Sequence, residues 1–115
     1  MTVNPTVSSS VTPPSESSFV SLINGERSKR GLNPLTSSVL LYKDAVINNG
    51  IQLVRGMGHF YMGKAWGQCA AWGATSEEQV FNLWMNSKPH QDIMMGHYST
   101  FGLARARSYW TLNVR

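Results

Sequence analysis

The chain has 115 residues, of which 42% are hydrophobic and 14% are charged, so we expect one domain with one hydrophobic core. Its formal net charge is +4, but the basic residues are spread along the sequence, which argues against nucleic-acid binding. The single cysteine excludes an internal disulfide framework, and the lack of any run of about 18 apolar residues argues against membrane insertion.

Residues 1–18 form a separate segment, in which thirteen residues are Ser, Thr, Pro or Asn. Such a segment buries too little apolar surface to offset the entropy lost on ordering it. Val3, Val7 and Val11 recur in it at four-residue spacing, so we interpret it as an extended arm that contacts a protein partner in a larger assembly. No basic stretch followed by an apolar core is present, which predicts synthesis in the cytoplasm without a signal peptide.

Two helices are predicted after this arm. The first covers about residues 17–30, and the second covers about residues 38–54 with Ser37 or Ser38 as its N-cap. The sequence Asn-Asn-Gly at residues 48–50 is unfavourable in a helix and is expected to weaken the middle of the second one.

The second half of the chain predicts strands and two short helices. Residues 65–74 alternate imperfectly and predict a central strand, and residues 101–106 and 109–114 predict a hairpin. Between them, Thr75 and Glu78 have the spacing of a capping box at a helix start. Helices followed by a few antiparallel strands indicate an α+β fold with layered packing.

A second short helix is predicted from Pro89 to Met95. Pro89 disfavours the helical conformation at Lys88, so the preceding helix ends near Ser87, and Pro89 itself suits a first helical turn. His90 therefore falls at a bend between two helices, where its side chain can be directed into a groove.

Three motifs of the chain resemble motifs of the CAP superfamily, and more narrowly of its short bacterial branch of SCP-like domains, and they occur in the same order as in that family. WMNSKPHQDIM at residues 84–94, followed by Tyr98 and FGLA at residues 101–104, resembles the run W-M-x-S-x-x-H-R-x-x-I-L … Y-x-x-x-G-V-G. LINGERSKRGLNPL at residues 22–35 is similar to the opening helix of that family and the turn after it. GQCAAWG at residues 67–73 lies where the family usually has G-E-N-I-A-x-G.

The resemblance covers about residues 19–115 and implies a domain of that extent. It sharpens the predicted α+β fold to a three-layer α/β/α sandwich with a small antiparallel sheet.

The resemblance also implies that His59 and His90 face each other across a central groove. Two imidazoles in that arrangement can hold a divalent metal such as zinc when carboxylates complete the coordination. Gln68 stands where the family has a glutamate, and Asn86 and Ser87 stand where animal relatives carry a second one. Our candidate site residues are therefore His59, His90 and Gln68, and two groove histidines hydrogen-bonded to their neighbours are the alternative to a metal site.

Cys69 is a possible thiol nucleophile with His59 or His90 as its base. Alternation along a strand argues against this role, because Cys69 faces away from Gln68. A buried cysteine that packs as a small apolar side chain is the expected alternative.

Two functions are compatible with these residues. The first is a non-enzymatic CAP-like interaction module with a degenerate groove, anchored by its arm in a larger assembly such as a phage virion or tail, and needing no cofactor. The second is a hydrolase that acts on peptide or cell-wall material through His59 and His90. Gln68 favours the first, because catalysis at that position requires a carboxylate.

Overall fold

The computed structural model describes residues 16–115, so the proposed arm with Val3, Val7 and Val11 lies outside the described residues. In this part of the chain the elements are α1 (Glu16–Lys29), β1 (Thr36–Ser37), α2 (Val39–Arg55), β2 (Gly67–Trp72), α3 (Glu77–Met85), α4 (Lys88–Met94), β3 (Thr100–Ala106) and β4 (Tyr109–Val114). The predicted helices and the predicted hairpin are confirmed, and β1 is an additional strand of two residues, too short to leave a periodic pattern.

The four strands form one sheet in the order β1-β3-β4-β2. β3 and β4 form the antiparallel hairpin, β2 pairs antiparallel with β4, and β1 pairs parallel with β3. The prediction that residues 65–74 form a central strand is wrong, because β2 lies at an edge of the sheet. Gly67 to Ala71 are nevertheless all buried, and burial on both faces gives an edge strand the sequence pattern of a central one.

Helices cover both faces of this sheet, which confirms the three-layer sandwich. Along β4, Trp110, Leu112 and Val114 belong to the main hydrophobic core together with residues of α1, α3 and α4. The alternate residues Thr111 and Asn113 face α2 on the other side, where both hydrogen-bond to it. The chain therefore places an apolar core on one face of the sheet and a polar layer on the other.

Aromatic residues dominate the apolar core. The Phe19 ring meets those of Phe81 and Trp84 edge to face, with centroids 5.9 and 6.1 Å apart. Trp84 is fully buried, and its indole N–H donates to the Ala70 carbonyl over 3.1 Å. Each such buried side chain contributes about 1.5–3 kcal/mol of transfer free energy, so these contacts fix α1 and α3 against the sheet.

The inner face of α2 is apolar near its start, at Leu41 and Ala45, and polar over its second half. Ser38 caps its start by accepting from the Leu41 N–H, and the helix is unbroken through the Asn-Asn-Gly sequence that was expected to weaken it. Buried amide side chains line its inner face, while large apolar side chains at seven-residue spacing lie exposed on its outer face; these are Leu40, Ile47 and Val54. The buried amides stabilise the helix through tertiary hydrogen bonds, which outweigh their low intrinsic helix propensity.

α2 approaches β3 closely at Gly102. A Cβ atom at this position would overlap the backbone of Leu41 and Tyr42, so only glycine allows this packing distance.

At the start of α3 the predicted pairing of Thr75 with Glu78 is wrong by one residue. Ser76 is the N-cap and accepts from the Gln79 N–H over 3.1 Å, and the Gln79 side chain in turn accepts from the Thr75 N–H over 2.7 Å. Gln79 therefore takes the place predicted for Glu78, but its side chain binds the residue before the N-cap rather than the N-cap itself.

Among residues 16–115, no helix is both long and apolar enough to cross a membrane.

Candidate functional site

The two candidate histidines both lie beside the edge strand β2. His59, in the loop between α2 and β2, contacts the Gln68 side chain, and the main-chain oxygen of His90 lies 3.8 Å from the Cys69 sulfur. The positive charge of His59 contributes to lowering the pKa of His90, so the two imidazoles are close enough to interact electrostatically. The structure thus places Gln68 in contact with His59, and His90 within electrostatic range of His59.

The buried amides of α2 hold the loop that carries His59. The Asn48 side chain donates to the Gly58 carbonyl over 3.1 Å and accepts from the N–H groups of Phe60 and Tyr61 over 2.8 and 3.0 Å. The Gln52 side chain accepts from the Gly58 N–H over 3.1 Å. The main chain on both sides of His59 is therefore fixed from inside the fold, although the His59 side chain is exposed.

Gln68 is the centre of the site and only 4% exposed. Its amide nitrogen donates to the Tyr61 carbonyl over 2.9 Å and to Asn113 Oδ1 over 2.8 Å, and its oxygen lies 2.8 Å from His59 Nδ1. A second amide continues the chain, because Asn113 Nδ2 donates to the Leu41 carbonyl over 3.1 Å. Every polar atom of the Gln68 side chain thus has a partner.

The polarity of this network fixes the tautomer of His59. The carbonyls of Tyr61 and Leu41 can only accept, so the amide nitrogens of Gln68 and Asn113 must face them. The Gln68 oxygen then faces His59 Nδ1, and that nitrogen must carry the proton. In the neutral imidazole the other nitrogen, Nε2, keeps a free lone pair.

His90 lies at the first turn of α4 with its Nδ1 atom 2.8 Å from the Ser87 hydroxyl. Ser87 is the N-cap residue of α4 but makes no capping hydrogen bond with its side chain, since its hydroxyl contacts the imidazole instead. The Trp84 ring lies beside the imidazole, with centroids 6.5 Å apart. Burial, and next the charge of His59, lower the pKa of His90, so this imidazole is neutral at pH 7.

The residues present do not fit a preorganised metal site. Zinc sites use three or four nitrogen, sulfur or carboxylate ligands, whereas the groove offers two imidazoles beside an amide. Within residues 16–115, no group of three or more His, Cys, Asp or Glu side chains is placed to hold a metal ion.

Cys69 lies on the opposite face of β2 from Gln68, within the apolar core, as alternation predicts. Its side chain is fully buried, and burial raises the pKa of the thiol to about 12. The thiolate that a nucleophile requires is therefore absent at neutral pH, and the expectation of a buried apolar cysteine is confirmed.

The polar layer that supports the groove is what sequence reasoning missed. Asn48 and Asn49 are poor helix formers, yet their spacing places them on one helix face together with Gln52. Thr111 and Asn113 show the matching signal as polar residues at alternate positions of an otherwise apolar strand. These two periodicities together identify a buried polar interface.

The comparisons with known proteins agree with this geometry at the level of the fold. No protein-family model and no curated protein matches the sequence. Two similar solved structures are an extracellular protein containing a SCP domain from Bacillus anthracis, with 15% identity and a TM-score of 0.75, and a cysteine-rich secretory protein from Staphylococcus aureus, with 20% identity and a TM-score of 0.65. A third is an outer surface protein from Borrelia burgdorferi, with 19% identity and a TM-score of 0.69.

These similarities cover 84%, 84% and 87% of this chain, and 38%, 36% and 94% of the other proteins respectively. The chain thus spans less than two fifths of the first two proteins and nearly all of the third. The domain has the fold of a bacterial CAP-like, SCP-type domain, which confirms the resemblance found in the sequence. At these identities the likeness establishes the fold alone.

Proposed function

We propose that this domain is a non-enzymatic CAP-like interaction module with a degenerate groove. The observation that carries the proposal is the bonding of Gln68, whose amide stands where the resemblance implies a carboxylate. An amide neither accepts nor releases a proton at neutral pH, and its oxygen offers no negative charge to a metal ion or an imidazolium. The surroundings of the Gln68 side chain also suit an amide rather than a carboxylate, because two of its three partners, the Tyr61 carbonyl and Asn113 Oδ1, require a hydrogen-bond donor.

One observation favours the hydrolase alternative. The Gln68 oxygen orients His59 so that Nε2 keeps its lone pair, as a general base requires. Hydrolysis also needs a group that donates a proton or polarises the substrate, and the lowered pKa of His90 makes it a poor acid at pH 7. The groove therefore supports binding of a polar group better than it supports turnover.

The experiment that separates the two functions is a hydrolysis assay of the full chain on peptidoglycan and on casein. The wild type is compared with the double variant His59→Gln/His90→Gln. We expect equal rates at background level for both, because the groove lacks an acid. Turnover by the wild type that the double variant abolishes would establish the hydrolase and overturn the proposal.

The proposal includes an anchoring role for the N-terminal arm within a larger assembly, such as a phage virion or tail, or another extracellular assembly. Its support is the sequence of residues 1–18 and the spacing of Val3, Val7 and Val11. α1 begins at Glu16, and the Phe19 N–H donates to the Glu77 carboxylate over 2.8 Å. A deletion test should therefore remove residues 1–14 and leave α1 intact.

We expect this deletion to leave the melting temperature within about 2 °C of the wild type, since none of the core residues is lost. Incorporation into the assembly, measured by co-sedimentation of the particle with the tagged chain, should be lost. A second variant keeps the full length of the arm and replaces only the three valines by serine, and it should lose incorporation in the same way. Normal incorporation of both variants is the outcome that rules out the arm.

A further inference from the structure

A second concave site lies apart from the histidine groove. It is a cleft of about 480 Å³ between the end of α1, the residues that follow α4 and the end of β4, and its lining includes none of the residues His59, Gln68 or His90. Volumes of this size are typical of sites for small organic ligands.

Arg27 forms the buried wall of this cleft. It is 1% exposed, and its guanidinium donates to four main-chain carbonyls at 2.8–3.2 Å; these belong to Asn33, Met94, Gly96 and Tyr98. These bonds tie the end of α1 to the residues after α4. They use four of the five N–H groups, so one on Nη2 has no acceptor within residues 16–115.

The charge of Arg27 has no carboxylate partner in the described part of the chain, where the ion pairs involve Lys29, Arg30 and Lys88. Burial lowers the pKa of the guanidinium below its ordinary value, which reflects the cost of desolvating an unpaired cation. Buried charges in proteins are normally paired. An anion in the cleft would supply the missing counter-charge.

The open side of the cleft adds a second guanidinium and an aromatic surface. Arg115 lies over the Trp66 ring, 4.7 Å from its centroid, and donates to the Lys64 carbonyl over 2.9 Å. Trp66 remains 63% exposed. This stacking holds Arg115 at the mouth of the cleft and leaves the indole surface available for a flat or ring-shaped group.

The remaining polar side chains of the lining also suit an anion. His97 is exposed and adds a ring N–H, and the Ser99 hydroxyl has no partner among the described residues. The lining side chains include no Asp or Glu. Four separate side chains thus offer donors, which matches the three acceptor oxygens of a phosphate better than the two of a carboxylate.

We propose that this cleft binds a small organic phosphate, with its phosphate group between Arg27 and Arg115 and its organic part on Trp66. A nucleotide, a sugar phosphate and a phosphorylated lipid headgroup share this chemistry. The site is independent of the histidine groove, so binding here survives the double variant His59→Gln/His90→Gln whether or not the groove proposal is right.

The test is an NMR titration of the full chain that follows the indole N–H of Trp66 and the ring of His97. The probes are adenosine monophosphate, glucose 6-phosphate, glycerol 3-phosphate and inorganic phosphate, with adenosine and glucose as neutral counterparts. We expect saturable shifts of both signals with at least one phosphate ester, weaker binding of inorganic phosphate, and none with the neutral compounds. The ester that binds most tightly distinguishes the three sources.

Two pairs of variants make the result specific. Arg115→Gln should weaken binding at least tenfold, whereas Arg55→Gln should not change it, although Arg55 is also exposed and stacked on an aromatic ring, 4.8 Å from the Phe60 centroid. Trp66→Phe should weaken binding of the ester but not of inorganic phosphate. Trp72→Phe is its control, since Trp72 is 61% exposed at the far end of β2, whereas Trp66 directly precedes that strand.

Either of two results overturns the proposal. One is the absence of saturable chemical-shift changes at Trp66 and His97 when each of the four probes is titrated in tenfold steps up to the millimolar range. The other is an equal effect of Arg115→Gln and Arg55→Gln, which would mean that the probes respond only to net charge.

Discussion

Replacing Gln68 by glutamate restores the carboxylate of the resembled family, and the structure predicts that this costs stability. The amide nitrogen of Gln68 now donates to the Tyr61 carbonyl and to Asn113 Oδ1, and in the variant a carboxylate oxygen would face both acceptors. Two buried acceptors without a donor cost about 2–6 kcal/mol. The charged bond to the His59 N–H returns about 1 kcal/mol relative to the neutral one, so we expect Gln68→Glu to lower the free energy of unfolding by about 3 kcal/mol at pH 8.

The pH dependence of this loss has a definite sign. The introduced carboxyl group is buried, so its pKa in the folded state lies above its unfolded value of about 4.3. A group with a raised folded-state pKa supports stability below its unfolded pKa and loses that support as the pH rises. When protonated it can also donate to Tyr61 or Asn113, so the deficit relative to the wild type should shrink as the pH falls towards about 4.

The assay is urea unfolding, followed by tryptophan fluorescence, with and without zinc. The matched control is Gln52→Glu, since Gln52 is equally buried and its amide nitrogen also donates to several acceptors, but no imidazole contacts it. Only Gln68→Glu sets a carboxylate beside His59 and His90, so zinc at 100 times its Kd should return about 2.7 kcal/mol to this variant and nothing to the control.

The reasoning is refuted if Gln68→Glu is as stable as the wild type at pH 8 in the absence of zinc. That result would mean that the amide nitrogen does not donate to Tyr61 and Asn113. A zinc effect of the same size in the Gln52→Glu control would instead remove the groove from the explanation.

Three further predictions follow from other parts of the fold. Because burial raises the pKa of Cys69 to about 12, its thiol should react with Ellman's reagent at pH 8 at least 100-fold more slowly in the folded chain than in urea, and equal rates would place it at the surface. Gly102→Ala should destabilise the domain by about 3 kcal/mol, because the added Cβ meets backbone atoms of α2. Gly25→Ala, in open space on α1, should instead stabilise it by about 0.5–1 kcal/mol. A Gly102→Ala variant with the wild-type free energy of unfolding would contradict the close packing of α2 on β3. His90 has a lowered pKa in the folded state, so the stability it supports is complete above about pH 6.5 and is lost as the pH falls. His90→Gln should therefore flatten the decline in melting temperature between pH 7 and pH 5, and an unchanged decline in this variant would contradict the burial of the imidazole.

Much of the fold could be predicted from local signals. The end of α2 at Gly56, with φ of 90°, follows rules that act over a few residues, and the same rules place the start of α3 within one residue of its N-cap Ser76. The opposite orientation of Gln68 and Cys69 follows from alternation alone. The meeting of His59 with His90 could be predicted only through the resemblance, because 30 residues, including β2 and α3, separate them in the chain.

The parts that could not be predicted depend on tertiary contacts. A strand buried on both faces has the same sequence pattern at an edge of the sheet as at its centre, so the sequence cannot show that β2 is an edge strand. The low helix propensity of Asn48 gives no indication that its side chain donates to the Gly58 carbonyl, ten residues further along the chain. The cleft at Arg27 is likewise built from carbonyls of distant residues, which carry no sequence signal at all.

The measurement that tests the account most directly is the tautomer of the His59 ring, read from two-bond nitrogen–proton NMR correlations at pH 8. The network through Gln68 and Asn113 predicts that the neutral form of the ring carries its proton on Nδ1 and leaves Nε2 free, and the Gln68→Met variant should release this preference. A proton on Nε2 in the wild type would contradict the account, because the Gln68 side chain would then not be the acceptor that positions His59 in this groove.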